Sequence, residues 1–203
     1  MRGRFITIEG IDGAGKTTIA HRIEAELRHR GYRVVLTTEP TRSWLGDAVK
    51  RSYDDDVGPL AETFLFLADR ARHTDQIRSW IAAGRIVISD RYADSTYAYQ
   101  GARLRGVVRD PVRWLRAVSE PVVVEPDLTI LLDVPPRLGL RRIADRKRKI
   151  RFEKEKFLTL VAANYRRIAR GPRYARIDGS GSAAGVAGDA MEVIERRLRL
   201  RGR

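Results

Sequence analysis

The segment Gly10–Thr17 combines glycines, a lysine and a threonine at a spacing that suits phosphate chemistry. It follows the pattern G-x-x-x-x-G-K-[ST], comes after an apolar run at Phe5–Ile8 and opens a helical pattern that extends to Arg30. Such glycines let backbone N–H groups turn inward around a phosphate, and the helix N-terminus adds the positive end of its dipole. Lys16 can bridge the β- and γ-phosphates, and the Thr17 hydroxyl can ligate Mg²⁺. The pattern predicts a triphosphate site formed by Gly10, Ile11, Asp12, Gly13, Ala14, Gly15, Lys16, Thr17 and Thr18.

Asp12 is unusual in such a loop, because a carboxylate repels the phosphates that the loop binds. We therefore expect it to face a second substrate, for example through a sugar hydroxyl. The chain also contains no Asn-Lys-x-Asp motif of the kind that gives GTPases their base specificity. The loop therefore favours a site with two substrates over a GTPase.

A second polar group follows the third strand-like run, where Ile86–Ile88 leads into Ser89, Asp90 and Arg91. In an open α/β sheet, groups just beyond the carboxyl ends of the strands line the ligand crevice. Asp90 is expected to hold Mg²⁺, directly or through water, and Arg91 to grip an acceptor phosphate with two parallel hydrogen bonds. The alternative is an ion pair that only caps the end of the strand.

Phe66 and Arg70 form another candidate pair, because residues four apart share one face of a helix. An aromatic plane beside a guanidinium suits a nucleobase and its carbonyl groups. The alternative, taken from these residues alone, is a core phenylalanine with a surface arginine.

The elements that must position these groups are short β-branched runs alternating with longer amphipathic helical patterns. The strand-like runs are Phe5–Ile8, Val34–Leu36, Ile86–Ile88, Thr129–Leu132 and Tyr174–Ile177. Two of them are almost continuously apolar, as is typical of strands buried on both faces of a sheet. This alternation predicts an α/β fold with a parallel sheet and helices on both sides, in a single domain over residues 1–203.

Composition restricts the function further. The 203 residues include no cysteine, which excludes disulfides, thiolate metal sites and a cysteine nucleophile. No apolar run approaches the roughly 18 residues of a membrane span, and the N-terminus lacks a signal-peptide pattern, so we expect a cytoplasmic protein. The net charge is +14, and 34 of the 40 basic residues are arginine. This excess suits small anions as well as nucleic acid, and the chain carries no recognisable nucleic-acid-binding motif.

Taken together, these motifs resemble those of the thymidylate kinase family, from the phosphate loop to the final helix. The residues that carry the resemblance are Glu9–Thr18, Glu39–Pro40, Phe66, Arg70, Asp90–Tyr92, Ser95, Tyr99–Gly101 and Pro126–Val134. The resemblance implies the five-stranded parallel sheet of phosphate-loop nucleotide kinases. It also implies transfer of the ATP γ-phosphoryl group to dTMP with Mg²⁺, giving dTDP, in a homodimer with no nucleic-acid or membrane partner.

The resemblance also implies roles for single residues. Phe66 would stack on thymine, Arg70 would bind the base edge, and Gln100 would add a contact near the base. Asp12 would accept from the 3′-hydroxyl, Arg91 would hold the phosphate, and Tyr99 would crowd the 2′ position. The implied dTMP site comprises Asp12, Phe66, Arg70, Arg91, Ser95, Tyr99 and Gln100, and the implied metal site comprises Thr17 and Asp90.

The sequence departs from the family at the residue after Asp12, where some members place an arginine and this chain has Gly13. Phosphoryl transfer still needs cations near the transferred group. An arginine-rich lid at about residues 141–152 is the predicted source. We expect the catalytic residues to be Lys16, Arg91, Arg142 and Arg146, followed by Arg148 and Arg151.

A second departure concerns Thr38, which stands where several relatives carry a phosphate-binding arginine before the Glu-Pro pair, so Arg42 is a candidate substitute. Two rival functions stay open at this point. One is a kinase for another nucleotide or a deoxynucleoside, and the other is a nucleic-acid-binding protein that uses ATP as a switch.

Overall fold

A single parallel sheet organises the chain, and its five strands stand in the order β2-β3-β1-β4-β5. This arrangement comes from a computed structural model that describes residues 2–143 and 155–199. The strands are β1 (Arg4–Glu9), β2 (Val34–Thr38), β3 (Ile86–Asp90), β4 (Leu128–Asp133) and β5 (Tyr174–Asp178). Each lies over one of the strand-like runs, so the predicted five-stranded parallel sheet is confirmed.

Helices connect the strands and cover both faces of the sheet. They are α1 (Lys16–His29), α2 (Trp44–Arg51), α3 (Pro59–Ala82), α4 (Ala93–Arg103), α5 (Pro111–Ser119), α6 (Pro136–Ile143), α7 (Glu155–Ile168) and α8 (Ala183–Leu198). One face carries α1 packed against α8, and α4 packs against α5 and α7. No helix in the described ranges is long and apolar enough to cross a membrane.

The central strands are buried because helices cover them on both sides. All five residues of β3 are buried, and Phe5, Ile6 and Ile8 of β1 are fully inaccessible to solvent. Two polar residues in the middle of the sheet, Thr7 and Thr129, form a hydroxyl–hydroxyl bond of 2.9 Å. The apolar runs thus form a buried sheet, and the carboxyl ends of its strands carry the polar groups.

Strand register brings the predicted chemistry to one edge of this sheet. Asp90 at the end of β3 is aligned with Ile8 of β1 on one side and with Thr38 of β2 on the other. The phosphate loop begins at Gly10, two residues after this level and directly after the end of β1. Loop, metal candidate and acceptor residues therefore meet at the carboxyl edge, as open α/β sheets require.

Helix α3 is distinctive because most of its buried side chains are polar. Its buried residues are Glu62, Thr63, Leu67, Asp69, Arg70, His73, Thr74 and Ile77. The interpretation of Phe66 and Arg70 as a core phenylalanine and a surface arginine is wrong, since Arg70 is 1% exposed and Phe66 is only partly buried. A buried polar face on a helix indicates a binding site, because polar groups that are removed from water need partners.

Candidate active site

The phosphate loop ends on Gly15, which caps α1 with a left-handed φ of 92°. Lys16 opens the helix, is 5% exposed, and donates from Nζ to the Ile11 carbonyl at 2.8 Å, across the loop. Burial, followed by the neighbouring Arg91 guanidinium, lowers the pKa of Lys16 to about 8. An anionic phosphate at this position would stabilise the charged ammonium, so the loop is electrostatically suited to a phosphate ligand.

Gly13 explains why this loop carries no arginine after Asp12. A Cβ atom built on Gly13 would lie 2.1 Å from the Gly139 carbonyl oxygen of α6, and the Gly13 φ is +78°. Both the space and the backbone conformation exclude a side chain there. Any arginine that serves the transferred phosphoryl group must therefore come from outside the loop.

Thr17 and Asp90 lie together and fit a magnesium ion. The Thr17 hydroxyl donates to Asp90 Oδ2 at 2.5 Å, while Asp90 Oδ1 is buried without a hydrogen-bond partner among the described residues. A hydroxyl and a carboxylate oxygen are the hard ligands that Mg²⁺ prefers. No cluster of three acidic or histidine ligands occurs in the described ranges, in keeping with an ion held largely by water and substrate phosphates.

Arg91 lies between the phosphate loop and the acceptor helix α4. Its guanidinium pairs with the Asp12 carboxylate and stacks 5.2 Å from the centre of the Tyr99 ring. Its backbone has a left-handed φ of 70°, which is uncommon for a residue with a side chain and is frequent at functional sites. Burial acts to raise the pKa of Asp12, but Arg91 and then Lys16 outweigh it and hold that pKa below its usual range.

A cavity of about 190 Å³ adjoins Arg91, between α3 and α4. It is lined by Asp12, Glu39, Pro40, Tyr53, Phe66, Arg70, Arg91, Tyr92, Ser95, Thr96, Tyr99 and Gln100. All seven residues predicted for the dTMP site are among them. Tyr53 and Thr96 were not singled out in the sequence, and Glu39 carried the family resemblance without a predicted role in the site. The Tyr53 and Phe66 rings lie 6.4 Å apart on one wall.

Arg70 is held by a buried network that leaves one of its nitrogens free. Glu39 Oε2 accepts from Nε at 3.0 Å and from Nη2 at 2.6 Å, and Thr96 Oγ1 accepts from Nη2 at 2.8 Å. Glu39 Oε1 also hydrogen-bonds His73 at 2.9 Å. Burial acts to raise the pKa of Glu39, but Arg70 and His73 hold it below the usual range. Arg70 Nη1 is buried without a partner in the described part of the chain, so Arg70 carries a donor beside the cavity that no described group engages.

Gln100 supplies the complementary group. Its Nε2 donates to Glu62 Oε1 at 2.9 Å, whereas its Oε1 is buried and has no partner within the described ranges. Among the described residues, two that line the cavity therefore carry a buried atom without a partner, the donor Arg70 Nη1 and the acceptor Gln100 Oε1. Buried polar atoms left unpaired are costly, so they indicate a ligand that completes them.

Glu9, at the end of β1, connects this strand to α4 and α7 through hydrogen bonds. Its Oε1 accepts from the backbone nitrogens of Tyr92 (2.8 Å) and Ser95 (3.3 Å), capping the start of α4. Its Oε2 accepts from Ser95 Oγ at 2.6 Å and from Tyr165 of α7 at 2.9 Å. Ser95 was predicted to bind substrate, but its hydroxyl donates its hydrogen bond to Glu9.

Glu9 also makes stability depend on pH. Burial, followed by the Asp94 carboxylate, raises the pKa of Glu9 from 4.5 to about 7. Protonation of Glu9 therefore stabilises the folded chain. This stabilisation is fully present below pH 4.5 and is lost as the pH rises towards 7. Because Glu9→Gln cannot ionise, its free energy of unfolding should rise relative to the wild type by about 3 kcal/mol across this window. Urea unfolding at several pH values would measure it, and a difference that is constant with pH would contradict it.

Arg142 lies at the opposite side of the phosphate loop from Arg91. Its guanidinium donates to the carbonyls of Gly179 (2.8 Å) and Ser180 (3.0 Å), in the loop between β5 and α8. It lines a second cavity, of about 240 Å³, with Ala14, Gly15, Thr18, Ile19, Gly179, Gly181, Ala183 and Val186. Arg146, Arg148 and Arg151, and most of the predicted lid, lie outside the described residues.

A wider cleft of about 730 Å³ opens beside the metal candidates. Thr17 and Asp90 line it together with Thr38 and Arg42. The Thr38 hydroxyl donates to the Asp90 carbonyl at 3.0 Å, so Thr38 stabilises the strand end and offers no charge to a ligand. Arg42 is exposed on the same cleft and is not among the residues that line the cavity between α3 and α4, so its role as the substitute cation stays a prediction.

Sequence reasoning missed the buried carboxylates that orient the predicted residues, namely Glu9, Glu39 and Glu62. Glu62 had a detectable signal, because it precedes Phe66 by four residues and Arg70 by eight, on one helical stripe. Glu9 had no such signal, since its partners lie 83 or more residues away in the chain.

Comparisons with known proteins agree with this geometry. The family model described as "Thymidylate kinase" matches residues 8–188. A protein of Natronomonas pharaonis named "Probable thymidylate kinase" is 45% identical over 200 residues, covering 96% of this chain and 98% of the relative. Relatives with the same name from Methanosarcina barkeri (39% over 198 residues) and Halobacterium salinarum (40% over 194 residues) cover 96% and 94% of the chain, and 97% and 94% of their own lengths. The resemblance is thereby confirmed, and the chain belongs to the thymidylate kinase family, whose members phosphorylate dTMP.

Proposed function

We propose that this chain binds ATP on its phosphate loop and transfers the γ-phosphoryl group to dTMP held in the cavity between α3 and α4. The observation that carries the proposal is the pair of unpaired buried atoms, the donor Arg70 Nη1 and the acceptor Gln100 Oε1. Thymine presents an acceptor at O4 beside a donor at N3–H, so it would satisfy both. Cytosine presents a donor at N4 and an acceptor at N3, so it would satisfy neither.

The remaining groups divide between positioning and electrostatic stabilisation. Phe66 offers a flat face for the base, Asp12 an acceptor for the 3′-hydroxyl, and Tyr99 the bulk that disfavours a 2′-hydroxyl. Arg91 is the candidate for binding the acceptor phosphate. When dTMP binds, Arg91 would exchange its ion pair with Asp12 for one with that phosphate. These roles require the substrate to lie along the cavity with its phosphate toward the phosphate loop.

The reaction is an in-line displacement without a covalent enzyme intermediate. An oxygen of the dTMP phosphate forms the new bond to the γ-phosphorus, and the bond to the β–γ bridging oxygen breaks, leaving ADP. A dianionic phosphate nucleophile needs no general base, so the enzyme contributes alignment and charge. Thr17 and Asp90 would hold Mg²⁺, which when bound neutralises charge on the β- and γ-phosphates. Lys16 would stabilise the negative charge that develops on these phosphates during transfer.

Arg142 is better suited to the nucleoside end of ATP than to the transferred group. Its hydrogen bonds to the Gly179 and Ser180 carbonyls attach it to the loop between β5 and α8. This loop lines the same cavity as Gly15 and Thr18, at the start of α1. This arrangement favours a role in ATP binding over the transition-state role that the lid composition suggested. The cation for the transferred phosphoryl group is then assigned to Arg146, Arg148 or Arg151.

Kinetics separate these two roles of Arg142. Arg142→Ala is expected to raise the KM for ATP about tenfold, through loss of ordered binding groups, with a smaller change in kcat. Initial rates at varied ATP with saturating dTMP would measure both. A large loss of kcat at unchanged KM would instead return Arg142 to the transition state.

Substrate preference tests the function itself. With ATP and Mg²⁺, the purified protein should turn over dTMP and dUMP with kcat/KM values within about 200-fold of each other, since one methyl group separates them. The value for dCMP should be lower than that for dTMP by at least about a thousandfold, because both polar atoms would remain unpaired. Thymidine should give no turnover, having no phosphate for Arg91. The proposal would be contradicted if the protein phosphorylated thymidine but not dTMP, or if its kcat/KM values for dCMP and dTMP were equal.

Two broader expectations complete the proposal. The family resemblance supports a homodimer, which light scattering after size-exclusion chromatography would test. The dissolved nucleotide substrates support a cytoplasmic location, which cell fractionation would test.

A further inference from the structure

Glu62 is a fully buried carboxylate beside the base cavity that takes no part in the reaction described above. It lies on α3, one turn before Phe66 and two turns before Arg70, so it shares the helical face that borders the cavity. A charged group is seldom removed from water entirely unless it is paired, and its position must serve its partners.

Those partners are on α4. Glu62 Oε1 accepts from Gln100 Nε2 at 2.9 Å and pairs with the Arg103 guanidinium. Gln100 and Arg103 are three residues apart, so both project from one side of α4. Glu62 is therefore a junction between α3 and the residue that supplies the unpaired acceptor of the cavity.

The chemistry of this junction decides which way the Gln100 amide faces. A carboxylate that is paired with a guanidinium only accepts hydrogen bonds, so the amide must present its NH₂ group to Glu62. Its carbonyl oxygen then faces the other way, and this is the buried oxygen without a partner in the described ranges. The reversed amide would place two oxygens against each other and offer the base a donor.

We propose that Glu62 is the positioning residue that sets base specificity, by holding Gln100 with its carbonyl toward N3 of the base. The proposal rests on the proposed function, since it assumes a pyrimidine in this cavity. Glu39 performs the equivalent task for Arg70 at position 4 of the base, by occupying Nε and Nη2. Specificity at N3 depends on Glu62, because a glutamine amide by itself can face either way.

The test is Glu62→Gln, whose amide can donate or accept and so releases Gln100 to turn. The preference for dTMP over dCMP, as a ratio of kcat/KM values, should fall at least about tenfold, the effect of one discriminating hydrogen bond. The dTMP to dUMP ratio should stay within about twofold, because both bases carry N3–H. Glu26→Gln, the same change in an ion pair on α1, should leave both ratios at wild-type values.

A purely structural clamp between α3 and α4 would behave differently. It would lower the rates with dTMP, dUMP and dCMP together and leave every ratio unchanged. In a Gln100→Met background, Glu62→Gln should have no further effect on the dTMP to dCMP ratio, because no amide is left to orient. A persisting effect in that background would overturn the proposal.

Folding of the variants is checked by thermal unfolding, and Glu62→Asp is the second variant. It keeps the negative charge but shortens the side chain, which withdraws from Gln100 the oxygen that Gln100 and Arg103 share, so the dTMP to dCMP ratio should again fall. If the dTMP to dCMP ratio is unchanged in the folded variants, the role proposed for Glu62 is overturned. The proposed function still stands in that case, provided that the wild type prefers dTMP. Failure of the wild type to phosphorylate dTMP overturns both.

Discussion

Replacing Lys16 with alanine is expected to lower kcat for dTMP phosphorylation about a thousandfold. The Nζ atom is held over the loop, 2.8 Å from the Ile11 carbonyl, in a site from which water is nearly excluded. In such surroundings a fixed positive charge stabilises the charge that develops on the β- and γ-phosphates far more than it would in water. Steady-state rates at saturating ATP and dTMP would measure the loss.

Lys16→Met is the matched variant, because it keeps the length and volume of the buried stem and removes only the charge. Both variants should lose activity equally if the ammonium carries the effect. Thermal unfolding would verify that each is folded, and a folded Lys16→Ala protein with wild-type turnover would show that the phosphate-loop assignment is wrong.

Arg91→Ala is expected to lower kcat/KM for dTMP by a similar factor. Two hydrogen bonds between a guanidinium and a phosphate are worth about 3–6 kcal/mol together, and a thousandfold loss corresponds to about 4 kcal/mol. The substitution also leaves the Asp12 carboxylate without its partner, directed at the incoming phosphate. Initial rates at varied dTMP and saturating ATP would measure the loss.

Two companion variants separate these contributions. Arg91→Lys keeps the charge but loses the two-pronged geometry, so it should recover only part of the activity. Asp12→Asn combined with Arg91→Ala should recover some dTMP binding, because it removes the unpaired charge. Wild-type kcat/KM for dTMP in a folded Arg91→Ala protein would exclude Arg91 from the acceptor site.

The contiguous features of this site were predictable from the sequence because their geometry is local. Gly10–Thr17 contains its own turn, its own ammonium and the start of its own helix, so spacing along the chain is spacing in space. The five apolar runs likewise specified a parallel sheet, and its carboxyl edge brought Asp90 and Arg91 to the loop. Helical periodicity placed Phe66 and Arg70 on one face, and the family resemblance gave them their roles.

Only the tertiary structure decided the orientation of these groups. The partners of Glu9, Glu39 and Glu62 lie 31 to 156 residues away, and no local pattern says which carboxylate a buried arginine or amide will meet. The contact of Gly13 with Gly139, and of Arg142 with the loop at Gly179, likewise depends on how α6 packs. The sequence by itself determined which chemical groups are present and which strand or helix carries each one. Packing between elements determined which buried atoms stay unpaired among the described residues, and the proposed recognition of the base rests on those atoms because burial makes an unsatisfied donor or acceptor costly.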